Sequence, residues 1–340
     1  MGERAFSKIQ WGLEPSSAQG TAVAADTLLL AGTHPPIPPD RVPTMIEDDA
    51  GVRALGVRAN PRIDQLEVKS SLNFSDAYYQ LLPILFSMGI KGGVTPVEQT
   101  SGEGDYLWTF TPSMTATNTP DSGTLEVGDD TQAYECEFMQ IERLAINGTI
   151  NQDNTPARVG IDVDFYARQW TPVSFTGGIT IPTTTELNAK VTRFYRDTSW
   201  AGLGGTEVTG LLRAYTIEIL TGLHPKFHGD ANKYFDTFGQ GKFDVLFNLT
   251  LEGNSGADAI YDLFQAGTKS FLQFSLDGPQ IGAGDNHNLT LGVGGFWQAV
   301  TPLAENSQGN NLHTAILRGS YDITGAQEFA LTTKTNVASI

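Results

Sequence analysis

The chain has 340 residues, 40% hydrophobic and 17% charged, with 37 Gly, 17 Pro and a single cysteine; this describes a folded, turn-rich protein of two domains with few long helices. A balance of 21 Lys+Arg against 38 Asp+Glu, net −17, disfavours tight binding to a phosphate backbone, which needs clustered cations. Cys136 standing alone excludes an intrachain disulfide and a thiolate zinc cluster, and points to a reducing compartment.

The opening MGERAFSKIQWG lacks the apolar core of a secretory signal and the Ser or Thr of a myristoylation motif, so no leader or anchor is expected. The Asn-x-Ser/Thr matches at Asn73, Asn147, Asn248 and Asn288 then read as chance. Residues 32–61, including HPPIPPDRVP, form a long irregular arm of the kind that binds a partner or orders on assembly. Alternation of Leu66, Val68, Ser70 and Leu72 with polar residues predicts a half-buried strand over 65–72. A helix over Ser75–Met88 follows, with Ser75 as its cap, Asp76 in the first turn, a bend at Pro83 and Gly89 as its stop. The longest nearly apolar stretch, Ala77 to Ile90, is too short to span a bilayer.

An aromatic-rich strand is expected over 106–110, then a strand pair over 134–146 and 159–167 joined by a loop over 147–158. Strand alternation sets Glu135 and Glu137 on one polar face, with Cys136 buried opposite beside Tyr134 and Phe138; Asp162 and Asp164 make a second polar pair. Thr, Gly and Pro over 170–191 mark a join, placed near Gly178. Beyond it, strands at 215–219 and 243–251 precede a helix over Ala257–Ala266, whose Ile260, Leu263 and Phe264 form an apolar stripe and whose stop is Gly267. An aromatic strand over 271–276 and a pair over 288–300 and 313–321, joined by a loop over 301–312, complete the chain.

Both helices contain Asp-Ala-x-Tyr-x-Leu, beginning at Asp76 and Asp258, and both halves follow the order strand, helix, several strands. A duplication is expected, with one unit over 1–178 and another over 179–340. The fold expected is mainly β with minor α.

Chemistry is sparse. His224 and His228 are separated by Pro225 and read as a turn, so no metal pair is expected; Gly-Asn-Ser-Gly at 253–256 reads as a helix cap, lacking a P-loop lysine. The carboxylate pairs are of a sort that glycosidases use, but on one strand face they read as solvated charges, and no Gly-x-Ser-x-Gly elbow occurs. The five tryptophans are scattered and read as core or interface anchors. No enzyme and no cofactor are expected.

The run Lys8-Ile9-Gln10-Trp11-Gly12-Leu13-Glu14 with Gln19 to Ala25, and in the second half Thr206 to Thr209, Ala214 to Ile219, Gly222 to Phe227 and the strand Phe243 to Leu251, resemble siphophage tail tube proteins. The resemblance implies two tandem β-sandwich or barrel domains, each with one flanking helix, in rings of three copies that stack helically into a virion tail tube for DNA ejection. It implies assembly in the host cytoplasm and contacts with copies of itself, the tape measure protein and the terminator and tip proteins, with DNA passing unbound. Glu135, Glu137, Asp162, Asp164, Glu218 and Glu252 are the candidate channel-facing acids, making a wall that keeps DNA contacts weak. The competing reading is a carbohydrate-binding or adhesin-like β-sandwich.

Overall fold

A computed structural model describes residues 6–32, 37, 66–150, 156–229, 232–307 and 309–340. The expected arm over 32–61 lies outside the described residues except for Gly32 and Ile37. The first half contains β1 (Lys8–Leu13), β2 (Thr27–Leu29), β3 (Val68–Phe74), a 3-10 turn (Tyr79–Leu81), α1 (Leu82–Gly89), β4 (Val97–Glu98), β5 (Tyr106–Thr109), β6 (Gly123–Gly128), β7 (Ala133–Thr149), β8 (Val159–Ala167) and β9 (Thr171–Val173). The second contains β10 (Thr192–Asp197), β11 (Leu212–Leu220), β12 (Leu223–Lys226), β13 (Thr237–Gln240), β14 (Asp244–Glu252), α2 (Ser255–Gln265), β15 (Ser270–Gln280), β16 (Asn286–Ser307), β17 (Asn310–Gly319) and β18 (Phe329–Thr335). The protein is mainly β. Its strands form one 16-stranded antiparallel sheet system and the separate β12–β13 hairpin.

The two halves repeat one pairing scheme. In the first, β3 pairs β8, β8 pairs β7, β7 pairs β6 and β6 pairs β1. In the second, β14 pairs β17, β17 pairs β16, β16 pairs β15 and β15 pairs β10. The final strands β9 and β18 each pair with the start of the long strand, β7 or β16. Each long strand changes partner midway and bulges just after the change, between Ile141 and Arg143 in β7 and between Trp297 and Ala299 in β16. A bulge at the same place in two strands is a local kink that re-aims the second half of each.

This scheme corrects the expected correspondence of elements. The counterpart of β15 is β6, not the aromatic strand β5, which instead leaves its own half and pairs with β18. The Asp-Ala-x-Tyr-x-Leu runs also fall on different structure: Asp76 to Leu81 precede α1, whereas Asp258 to Leu263 lie inside α2.

α1 starts later than the pattern implies because residues 75–78 are engaged with strands. Ala77 N donates to Val159 O (2.9 Å), Leu187 N donates to Ala77 O (2.8 Å), and Tyr78 is extended at φ −130°. Ser75 therefore caps nothing, and Asp76 pairs with Arg158 (2.7 Å). Pro83 falls in the first turn, where its missing N–H has no partner to lose, so no bend follows. Every side chain of α1 is buried. Gly89 is its last residue, and a Cβ there would sit 3.3 Å from Ile141 and Leu144 of β7. α2 matches its expectation: Asn254 accepts from Gly256 N (2.9 Å) and Ala257 N (3.3 Å), and Gly267 closes it at φ +61°. Ile260 is buried, with Leu263 and Phe264 half-buried beside it.

One hydrophobic core runs through both halves, from Trp11, Phe86 and Ile146 to Phe247, Phe274 and Leu331. A smaller cluster of Phe138, Tyr166, Leu223 and Phe235 pins the β12–β13 hairpin to the first half. Phe138 belongs to it because its backbone is left-handed (φ +58°), where the pairing with β6 shifts register. Strict alternation therefore fails at this point: Cys136 faces the main core and Phe138 the other side. The loop expected over 301–312 is also mostly strand, since β16 runs to Ser307 and β17 resumes at Asn310, with Gly309 at φ +85° in the turn.

Candidate functional site

The join between the halves is a strand seam. β11 pairs β14 of its own half along Leu212–Leu220, and its other edge pairs β7 from Ala214↔Thr149 to Leu220↔Arg143. The strands β7, β11, β14, β17 and β16 thus lie side by side in one sheet. The second half of β7 is covered on both edges, by β8 and β11. Its counterpart, the second half of β16 from Ala299 to Ser307, pairs with β17 alone among the described residues. Within it Leu303 has φ +54° and is 67% exposed. An open edge of this kind presents unpaired N–H and C=O groups to a further strand.

The outward face of these five strands is polar but mostly uncharged. One register row runs Asn147, Thr216, Asn248, Ile316, Ala299; the next runs Thr149, Ala214, Thr250, Thr314, Thr301. These residues line a shallow groove of about 310 Å³, while their neighbours Ile146, Ile217, Phe247 and Leu317 turn into the core.

Of the six acids singled out by sequence, Asp162, Asp164 and Glu218 come together at one end of this face. Arg143 joins them, bonding Glu218 through Nε and Asp164 through Nη1 (3.2 Å), and the Glu218 bond raises the guanidinium pKa. Asp162 accepts from Asn73 and from Asn147 (2.9 Å). Glu252 pairs with Arg213 (2.8 Å) beyond the uncharged rows. Glu135 and Glu137 stand apart on the first half of β7, half-buried, and burial raises both carboxyl pKa values; Glu126 and Glu14 push Glu135 further up. The acids are therefore dispersed, and three of the six, Asp164, Glu218 and Glu252, are paired with arginines. His224 lies on β12, paired opposite Gly239, and not in a turn; His228 bonds Asp236 (2.7 Å).

Sequence reading missed Glu14. This carboxylate is 1% exposed and accepts from Gly20 N (2.6 Å), Ser122 Oγ (2.6 Å), Thr124 Oγ1 (3.0 Å) and Phe138 N (2.7 Å). It holds the bulge at Phe138 and so the seat of the β12–β13 hairpin. Nothing local flagged it: in Ile9-Gln10-Trp11-Gly12-Leu13-Glu14 alternation puts the glutamate on the polar face with Gln10, where it reads as an ordinary solvated strand charge. No helix among the described residues is long and apolar enough to cross a membrane.

A scan against protein-family models finds no match. A search of curated proteins finds no significant relative.

Proposed function

We propose that the chain is a structural, non-enzymatic subunit that closes into rings through its sheet edges and stacks into a tube, as the tail tube protein of a long-tailed phage. The observation that carries this reading is the contrast between the two long strands. β7 already has β11 on the edge that β16 leaves open. The seam inside the chain is thus a template for a seam between chains: the open edge of β16 takes a strand from a second copy, and the repeated pairing scheme makes each chain two units of a closed hoop. Two units per chain with three chains give a ring of pseudo-six-fold symmetry. The polar face then lines the channel, because the core, both helices and the outer strands occupy the opposite side and need the larger radius. DNA passing through meets Thr and Asn groups with ion-paired charges on either side of them, and, among the described residues, no cation cluster on this face to hold its phosphates.

Purified protein concentrated and viewed by negative-stain electron microscopy should show rings or tubes, with matching large species in sedimentation. A single monomeric species at every concentration, without rings, would sink the proposal.

A further inference from the structure

Among the described residues, Arg196 is a cation without a counter-ion. It lies on β10, and its register row continues through Leu272, Val293 and Phe329, all fully buried. The side chain therefore starts on the core face and is half-buried, with Nη1 enclosed and without any hydrogen-bond partner. Burial alone moves its pKa, downward, with no carboxylate contributing. Cations on nearby strands differ: Arg193 has Asp277 (3.6 Å), Arg213 has Glu252 (2.8 Å), Lys269 has Asp322 (3.3 Å) and Arg318 has Asp244 (2.7 Å). The adjacent Asp197 does not serve Arg196, since strand alternation turns it to the other face, where Oδ1 accepts from Thr198 N (2.7 Å) and Ser199 N (3.1 Å).

The strand carrying Arg196 is also open. Its first-half counterpart β1 is flanked by β6 and β2, whereas β10 has β15 on one edge and, on the other, among the described residues, just the bridge Tyr195↔Glu207 with Val208 N donating to Phe194 O (2.8 Å). A partly desolvated guanidinium at an edge covered only by this short bridge is half of an ion pair. Acids outnumber bases by 38 to 21, so two copies repel overall and their contacts need locally opposite charge.

We propose that Arg196 is an assembly anchor that receives a carboxylate from a second copy of this chain at the β10 edge. This rests on the self-assembly reading above. The test compares wild type, Arg196→Leu and Arg196→Lys in subunit melting temperature and in the protein concentration at which sedimentation shows association. Arg196→Leu should melt no lower than wild type, because it removes an uncompensated charge, yet need a concentration higher by about tenfold or more to associate. Arg196→Lys, which keeps charge but loses the planar fork, should fall between them. Added salt should weaken association of wild type more than of Arg196→Leu. Association of Arg196→Leu at the wild-type concentration overturns the anchor and leaves the assembly reading intact. A lower melting temperature for Arg196→Leu also overturns it, by showing that the guanidinium serves the subunit's own fold. A wild-type chain that never associates removes both.

Discussion

At the scale of single residues, the groups that matter most are polar and buried. Glu14 satisfies two backbone N–H groups and two hydroxyls from three separate segments. Glu14→Ala leaves these donors enclosed and unpaired, and should lower stability by about 3 kcal/mol or more in urea titration, whereas Glu14→Gln, which retains one acceptor oxygen, should lose less. His287 is the second case. It is 5% exposed, stacked on Tyr79 (5.2 Å between centroids), with Nε2 3.4 Å from Thr185 Oγ1. Burial lowers its pKa from 6.5, outweighing an upward pull from the Lys334 backbone. The unfolded chain therefore takes up this proton first as pH falls: the stabilising contribution is complete above about pH 6.5 and drains away below it, until the folded imidazole is protonated too. Urea midpoints measured between about pH 8 and pH 5 should decline on the acid side in wild type, and less so in His287→Gln. An equal decline in both would assign the effect elsewhere. Neither role was legible in the letters, since each depends on groups from distant segments, as with Phe138 N and Glu14, separated by 124 positions.

Among elements, strand alternation was readable wherever one face meets the core and the other water. β8 was bounded correctly at Val159–Ala167, and β11 and β14 within a few residues. β6 escaped although Thr124 and Glu126 alternate with Leu125 and Val127, because only four residues stand between its two glycines, and burial of all six residues is set by tertiary packing. β18 alternates in burial, but of its inward residues Phe329, Leu331, Thr333 and Thr335 the last two are polar, so hydropathy hides half of the pattern. The candidate acids were visible, but their neutralisation was not. Arg143 reaches Asp164 across 21 positions and Glu218 across 75, a juxtaposition set by register between strands. The helices show the same division between local and tertiary control. α2 has a local cap, so Asn254→Ala should cost about 1 kcal/mol. Ser75→Ala should cost little as regards helix capping, because tertiary strand contacts displaced the start of α1. Comparing the two variants by thermal denaturation tests this; equal losses would restore Ser75 as a cap.

For the whole molecule, the pairings across the join matter more than the join itself. β11 completes the edge of β7, and β5 crosses to β18. The halves share a core, so calorimetry should give one unfolding transition and not two. Residues 1–178 or 179–340 expressed alone should aggregate through the uncovered strands, while co-expression should recover a soluble complex. Two well-separated transitions, or a monomeric soluble half, would contradict this. The β5–β18 pairing also sets a timetable during translation. Leu331 N donates to Thr111 Oγ1 across 220 positions. At ribosomal speed that interval is on the order of 10 to 40 s. Throughout it β5 has emerged and β18 has not, so the first half waits with one edge of β5 bare until β18 leaves the ribosome. β18 is thus a latch on the first half, and a nascent chain stalled or truncated before it leaves that half open to capture by chaperones and proteases.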